Sequence, residues 1–214
     1  MTLERTLDEG LAALALHADA RMRERLLAYA RLLEKWNKVY NLTAVRDIEA
    51  MMTHHLLDSL AVIPHLIGAR LIDVGSGGGL PGVPIAIMRP DMRVTLLDSN
   101  HKKAAFLRQA AIELDLGNAS VVCDRAESWR PAQPYDVVIS RAFAELSQFV
   151  AAAGHLCSDD GVIVAMKGVY PDEELGAVPS GYRLIDVRRI VVPGLAADRH
   201  LVLLQPTAVA AESN

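Results

Sequence analysis

The chain is poor in cysteine: Cys123 and Cys157 are its only two, far apart and in no C-x-x-C pair. That scarcity argues against a disulfide framework or a thiolate zinc site, and both are expected to be reduced, partly buried thiols. Long apolar runs are missing as well. Hydrophobic residues make up 51% of the sequence, yet no run approaches the roughly 18 residues needed to cross a bilayer. The opening MTLERTLDEG lacks the basic patch and apolar stretch of a secretory signal, so a cytoplasmic location is expected. The sequon Asn41-Leu42-Thr43 then has no consequence. Nor is positive charge in excess, the formal net charge being -4. The cations are unevenly placed: Arg21, Arg23, Arg25, Arg31, Lys35, Lys38 and Arg46 face only Glu24 and Glu34 in their stretch. Such a segment is either a solvated helix face or a phosphate-facing surface, and composition does not choose between them.

Glycine is absent between Gly10 and Gly68, and so is strand-like alternation, so residues 3–66 read as helical. Leu26, Ala30, Leu33 and Tyr40 recur at helical spacing, which puts an apolar stripe on one face. A further helix is expected after the N-cap candidate Asp47, running through Met51, Leu56, Leu60 and Ile63 to Pro64. From Arg70 the pattern changes. LIDVG, RVTLLD, ASVVCD, YDVVIS and GVIVAMK are strand candidates, nearly continuous in apolar character, as strands covered on both faces should be. Helices are expected near 82–89, 101–116 and 145–156. Strands alternating with helices specify an α/β fold with a doubly wound parallel sheet. RLIDVRRIVV and HLVLLQ, joined only by PGLAAD, are too close for a helical crossover and should pair antiparallel at one edge. The chain thus divides into an N-terminal helical extension (1–66), an α/β domain (67–206) and a tail (207–214).

The stretch DVGSGGGLPGVPIAI, Asp73 to Ile87, lies between the first strand and a helix, where doubly wound sheets bind ligands. Two templates fit it. Gly77, Gly79 and Gly82 satisfy the dinucleotide pattern G-x-G-x-x-G, but they begin late, because the turn after the strand already starts at Gly75. Asp73, Gly75, Gly77 and Gly79 satisfy D-x-G-x-G-x-G, the loop typical of S-adenosylmethionine-dependent methyltransferases. A dinucleotide brings a pyrophosphate to the helix N-terminus, whereas S-adenosylmethionine brings a zwitterionic amino acid and a cationic sulfonium. Asp73 suits the cationic ligand. Asp98, closing the second strand, can accept hydrogen bonds from both ribose hydroxyls of either cofactor. After the third strand, Asp124 or Glu127 can bond an adenine amine or cap a helix.

At the end of the fourth strand stands SRAFA, without the Asn/Asp-Pro-Pro-aromatic tetrapeptide usual in enzymes that methylate exocyclic amines. Neither cysteine lies where a nucleophile for carbon methylation belongs. An acceptor with an available lone pair remains, such as guanine N7, which carries no proton and needs alignment rather than a general base. Arg141 can hydrogen-bond the neighbouring O6, or hold the cofactor or a carboxylate. Two other classes stay open at this level. A nicotinamide-dependent oxidoreductase is disfavoured by the glycine register and by Asp73. A non-enzymatic, cofactor-sensing RNA-binding module is compatible with the lack of an obvious base.

Six ordered segments add a family resemblance: KWNKVYNLTA (Lys35 to Ala44), HHLLDSL (His54 to Leu60), the glycine loop, LLDSNHKKAAFL (Leu96 to Leu107), DVVISRAFA (Asp136 to Ala144) and MKG (Met166 to Gly168). Over nearly its whole length the chain resembles the bacterial 16S ribosomal RNA guanine-N7 methyltransferases, also called glucose-inhibited division protein B. The resemblance implies a Rossmann-like methyltransferase domain with an N-terminal helical extension. It implies S-adenosylmethionine as cofactor, S-adenosylhomocysteine as product, and methyl transfer to the guanine conventionally numbered 527. It also implies cofactor contacts at Gly75, Leu80, Ala126, Glu127 and Arg141, to which the strand-end reasoning adds Asp73, Gly77, Gly79 and Asp98. Gly78 occupies a loop position that varies in the family.

Arg141 is the candidate catalytic residue, as the group that positions guanine and cofactor. An RNA substrate needs phosphate contacts, for which Lys35, Lys38, Lys102, Lys103 and Lys167 are candidates. Asn37 and Asn41, one helical turn apart, and His55, which shares a face with Asp58, are candidate polar walls. The His55-Asp58 pair can equally be a hydrogen-bonded lock of the helix on the sheet. No further ligand cluster accompanies it, so no metal is expected. The expected partner is 16S rRNA or a small-subunit precursor, with no membrane partner, and the protein is expected to be a monomer.

Overall fold

The computed structural model describes residues 2–143 and 145–207; all but the first residue of the expected tail at 207–214 lies outside them. Helix α1 (Leu3–Ala13) is opened by Thr2, whose hydroxyl accepts the Arg5 amide hydrogen bond. Helix α2 (Ala20–Tyr40) is opened in the same way by Asp19 and closed by Asn41, which takes the left-handed conformation at φ 50°. The helical reading of 3–66 is therefore interrupted at 14–19 and 41–47. Asp47 does cap the next segment, accepting the Ala50 amide at 2.8 Å. That segment is not one regular helix. α3 (Ile48–Met51) passes into a π-helical stretch, Met52–Leu57, before α4 (Asp58–Leu60) and a 3-10 turn, Ile63–His65. π-Helical turns are rare and concentrate at functional sites; this one carries His54 and His55.

Strands β1 (Arg70–Val74), β2 (Arg93–Leu97), β3 (Ala119–Val122), β4 (Tyr135–Ser140), β5 (Cys157–Lys167), β6 (Tyr182–Ile190) and β7 (Arg199–Pro206) form a 7-stranded sheet. Their order is β3-β2-β1-β4-β5-β7-β6. β1 to β5 are parallel, while β7 runs antiparallel between β5 and β6. Helices α5 (Gly82–Met88), α6 (His101–Glu113) and α7 (Leu146–Ala153) make the crossovers, and the short α8 (Asp172–Leu175) follows β5. The five parallel strands and the antiparallel pair match the sequence pattern; β5 begins at Cys157, ahead of the apolar run that starts at Gly161. The strand order reverses between β1 and β4, so a crevice opens there at the carboxyl ends. Among the described residues no helix is long and apolar enough to cross a membrane.

Successive residues of a strand face opposite layers. Leu71 enters the core beneath α5, α6 and the N-terminal helices, whereas Ile72 and Val74 enter the core beneath α7. The helical extension has no core of its own: Leu26, Tyr29, Leu33 and Leu57 pack in the same cluster as Val94 and Leu96 of the sheet. Much of the basic run of α2 ties helices together. Arg21 and Arg25 both reach Asp115 beyond α6, while Arg23 and Arg31 pair with Asp8 and Glu4 of α1. Trp36 packs on Phe106 with ring centroids 5.5 Å apart, and with Arg21 and Arg25 at Asp115 this makes α2 antiparallel to α6. One tie goes directly to the glycine loop: the buried Tyr29 hydroxyl donates to the Gly78 carbonyl at 2.5 Å. Tyr29→Phe leaves that carbonyl buried without its donor, at an expected cost of about 1–2 kcal/mol. Thermal unfolding should show Tm lowered by about 2–8 °C; an unchanged Tm would show that this bond does not brace the loop.

Candidate functional site

Most amides of the turn after β1 are paired within the protein. Gly75 and Ser76 donate to the Leu97 carbonyl at 2.9 and 3.0 Å, and Gly79 and Leu80 donate to the Ser76 carbonyl at 2.7 and 3.0 Å. The Gly77 amide donates to Asp98 Oδ2 at 2.8 Å. At the head of α5 the Gly82 amide donates to Asp73 Oδ2 at 2.8 Å, and the same oxygen accepts the Ser76 hydroxyl at 2.6 Å. A phosphate bound in dinucleotide fashion would sit at this helix N-terminus. Here the protein's own carboxylate takes the place, so the loop is not an anion cradle. Glycine is required as the chain leaves β1: Gly75 has φ +71°, and a Cβ there would lie 3.0 Å from Ala142 Cβ.

Asp73 is 0% exposed. Burial pushes its carboxyl up to about 6, against the opposing pull of the Ser76 and Gly82 hydrogen bonds and of Arg141. Through Oδ2 Asp73 braces the loop from below, while its buried Oδ1 has no hydrogen-bond partner among the described residues. Gly79 and Leu80, also expected to touch the cofactor, are buried beside it, outside the cleft wall.

The cleft itself has a volume of about 380 Å³ and is lined by Gly75, Asp98, Lys103, Ala126, Glu127 and Phe143, among others. That volume is in the range of small-ligand sites. Asp98 is its organiser. One oxygen holds the glycine loop through Gly77, and the other accepts the Asn100 amide at 2.8 Å. Asn100 in turn caps α6 by accepting the Lys102 and Lys103 amides. On the opposite wall Ser140 donates to the Val74 carbonyl at 2.6 Å and accepts the Ala142 amide at 3.0 Å, which sets the β4 turn against β1. Sequence reading missed Ser140, since one serine at the end of an apolar strand carries no signal.

Arg141 turns away from this cleft into a second cavity, also about 380 Å³, between the π-helical stretch and the ends of β4, β5 and β7. Its Nη1 lies 3.2 Å from Asp58 Oδ2, 3.3 Å from the His54 carbonyl and 3.4 Å from His55 Nδ1. Asp58 is 1% exposed, and its other oxygen accepts Arg199 Nε at 2.7 Å from 141 residues along the chain. Arg199 was invisible as a site residue in the sequence, where nothing near it suggests a partner. His55 is also buried, with Nε2 2.6 Å from the Thr43 hydroxyl and Nδ1 2.8 Å from the His54 carbonyl. Burial first, then the adjacent Arg141 charge, pushes it down to about 4, so it is neutral at pH 7.

The other proposed RNA contacts separate by environment. Asn37 must be withdrawn: it is 2% exposed, its Nδ2 donates to the Val45 carbonyl and its Oδ1 accepts the Thr43 amide, both at 2.8 Å. It holds the loop after α2. Lys167 is also not an open surface cation, being largely buried and paired with Glu174 at 2.7 Å. Lys35, Lys102 and Asn41 are exposed, Lys38 is exposed but pairs with Glu34, and Lys103 lies in the cleft wall.

The buried Asp73 carboxyl makes a pH prediction. An unfolded carboxyl titrates near 4, and the folded one at about 6. Between those values the unfolded chain has released a proton that the folded chain retains, so stability falls as pH rises through about 4 to 6. Chemical denaturation of wild type and Asp73→Asn across that window should show wild type losing ground to the variant, then levelling off above it. A difference independent of pH would contradict the assignment.

A family model described as rRNA small subunit methyltransferase G (GidB) matches residues 22–202. The ribosomal RNA small subunit methyltransferase G of Chromobacterium violaceum is 56% identical over 197 residues, covering 92% of this chain and 94% of that protein. The protein of the same name from Aromatoleum aromaticum is 52% identical over 205 residues, covering 94% and 97%. Among solved structures, the glycopeptide N-methyltransferase MtfA complexed with S-adenosyl-L-methionine matches with a TM-score of 0.62 at 11% identity, over 72% of this chain and 88% of that one. TrmN from Thermus thermophilus matches with a TM-score of 0.54 at 19% identity, over 80% and 53%. The structural likenesses establish a Rossmann-like methyltransferase fold. With the family match and more than half of its residues shared with such a relative over nearly full length, the chain belongs to the GidB family of ribosomal RNA small subunit methyltransferases.

Proposed function

We propose that this protein transfers the methyl group of S-adenosylmethionine to N7 of a guanine in 16S rRNA, the base conventionally numbered 527, acting on the RNA or on a small-subunit precursor. The observation that carries the cofactor assignment is Asp73 filling the head of α5, beneath a glycine loop whose amides are mostly paired within the protein. A pyrophosphate would meet that carboxylate. A nucleoside with a cationic sulfonium and no phosphate fits a cleft walled by Asp98, Asp124 and Glu127. Asp98 would hold the ribose, Ala126 and Glu127 the adenine, and Gly75 the backbone-facing edge of the amino-acid end.

When bound, that cofactor supplies a methyl group that is already electrophilic. The chain then has to bind, orient and exclude water. Guanine N7 has no proton to lose, so alignment replaces a general base. The neutral, doubly hydrogen-bonded His55 accords with a site that does no proton transfer. Arg141 lines the second cavity, directly before the cleft residues Ala142 and Phe143, and its charge reaches both Asp73 and His55. RNA phosphates would be met by Lys35, Lys38 and Lys102, which the antiparallel packing of α2 on α6 brings to one end of the helix pair.

Mapping N7-methylguanine in small-subunit rRNA from cells with and without this protein tests the reaction and the position together. The modification should vanish without the protein and return when it is restored; a modification present in both would refute the reading. Arg141→Ala should lower methyl transfer by a factor on the order of 100, with cofactor affinity measured separately; unchanged values of both would remove its role. Reversing Lys35 and Lys38 to Glu should weaken RNA binding and reduce the log-log salt slope by about 2. Cofactor affinity should be unaffected by that double reversal.

A further inference from the structure

The second cavity is built around a charge arrangement that the cofactor does not need. Asp58, almost fully buried, is gripped on one oxygen by Arg141 and on the other by Arg199. One carboxylate between two guanidiniums leaves one unit of positive charge over. The remaining cation on the wall, Lys167, is paired with Glu174. Neither arginine has all its donors engaged: Nε and Nη2 of Arg141 and Nη2 of Arg199 make no hydrogen bond among the described residues. Both side chains keep about a quarter of their surface exposed, at 27% and 22%. The cavity therefore presents directed N–H donors and a surplus positive charge in a space of about 380 Å³.

An acceptor base held in a folded RNA must be presented singly, outside its stack, before a group can be transferred to its edge. A single nucleotide offers an acceptor edge and one phosphate, which is what this cavity complements. We infer that it receives the acceptor guanosine, with Arg141 directed to the base and Arg199 to its phosphate, and that Asp58 is the positioning residue that sets both guanidiniums. The inference rests on the methyl-transfer reading above and adds to it where the acceptor sits. It also gives the N-terminal extension a part in the reaction, since Asp58 follows directly on the π-helical stretch. The widened turn places His54 and His55 against Arg141 from one side while β7 delivers Arg199 from the other.

The test compares wild type with Arg199→Ala, Arg199→Lys and Asp58→Asn in methyl transfer to unmodified small-subunit rRNA. S-adenosylhomocysteine affinity, measured by calorimetry, reports both on folding and on the cofactor cleft. Arg199→Ala should raise KM for RNA about tenfold and reduce the log-log salt slope by about 1. Arg199→Lys, which keeps the charge, should restore most of KM. Asp58→Asn should lower kcat about tenfold, because the negative charge and one of the two acceptor oxygens that fix the guanidiniums are lost. S-adenosylhomocysteine affinity should stay within twofold throughout. The inference is overturned if that affinity falls in parallel with methyl transfer, which would place the pair in the cofactor site. It is equally overturned if the variants keep wild-type kcat and KM.

Guanosine monophosphate, titrated into wild type saturated with S-adenosylhomocysteine and followed by NMR, probes the cavity without any turnover. Shifts at the π-helical stretch that are lost in Arg199→Ala support the inference, and their absence in wild type overturns it. If wild type binds guanosine monophosphate in this way but does not methylate the RNA, it is the reaction assignment that fails.

Discussion

The carboxylate of Asp73, buried at the end of β1, holds the Ser76 hydroxyl and the Gly82 amide on one oxygen. With that bond in place, the chain turns sharply from strand to helix, the loop amides close on the Leu97 and Ser76 carbonyls and on Asp98, and Gly75 is left as the part of the turn that faces the cleft. Asp98 does the complementary work from β2, joining the loop to the start of α6. Two acids at neighbouring strand ends thus shape the site by opposite routes. One is withdrawn from the cleft and determines what cannot bind there, since it occupies the place of a phosphate. The other lies in the cleft wall within reach of a bound nucleoside.

The helical extension depends on the same loop. Tyr29 reaches the Gly78 carbonyl, and the apolar face of α2 continues the core beneath α5 and α6. Ion pairs along α2 are largely exposed and add little to stability individually; the apolar contacts and the buried hydroxyl hold the extension down. Because the extension is seated on the cofactor loop, its π-helical stretch is carried to the edge of the β4 turn. There His54, His55 and Asp58 meet Arg141. The first third of the chain therefore lines the second cavity and is not an appendage to the sheet domain.

The alternation of apolar runs and helices was enough to read the five parallel strands and the antiparallel edge pair, with a cleft at the parallel strand ends, because strand burial and crossover length are properties of local pattern. Asp98 was readable as a cleft residue because it follows directly on β2, and a doubly wound sheet puts strand ends at the crevice; Ala126, four residues beyond β3, lines the same cleft but was implied only by the family resemblance. The errors have a common cause. Asn37 looked like a polar residue on a helix face, yet it faces the loop that follows α2 and satisfies two backbone groups there. Lys167 looked like a free cation, yet Glu174 lies beside it. Asp73 was read as suited to a cationic ligand, and the fold adds a second role, since one of its oxygens holds the loop from beneath.

Sequence alone determined the class of fold, the strand ends at which ligands gather, and the family, all of which follow from short-range periodicity and contiguous motifs. Tertiary structure decided which polar groups are available. Asp58 and Arg199 are 141 residues apart, and only the insertion of β7 beside β5 and the widening of the helix after α3 bring them together. A buried charge must find its partner wherever the fold puts one, so the pairing of Asp58 with two arginines is a property of packing that no local pattern encodes.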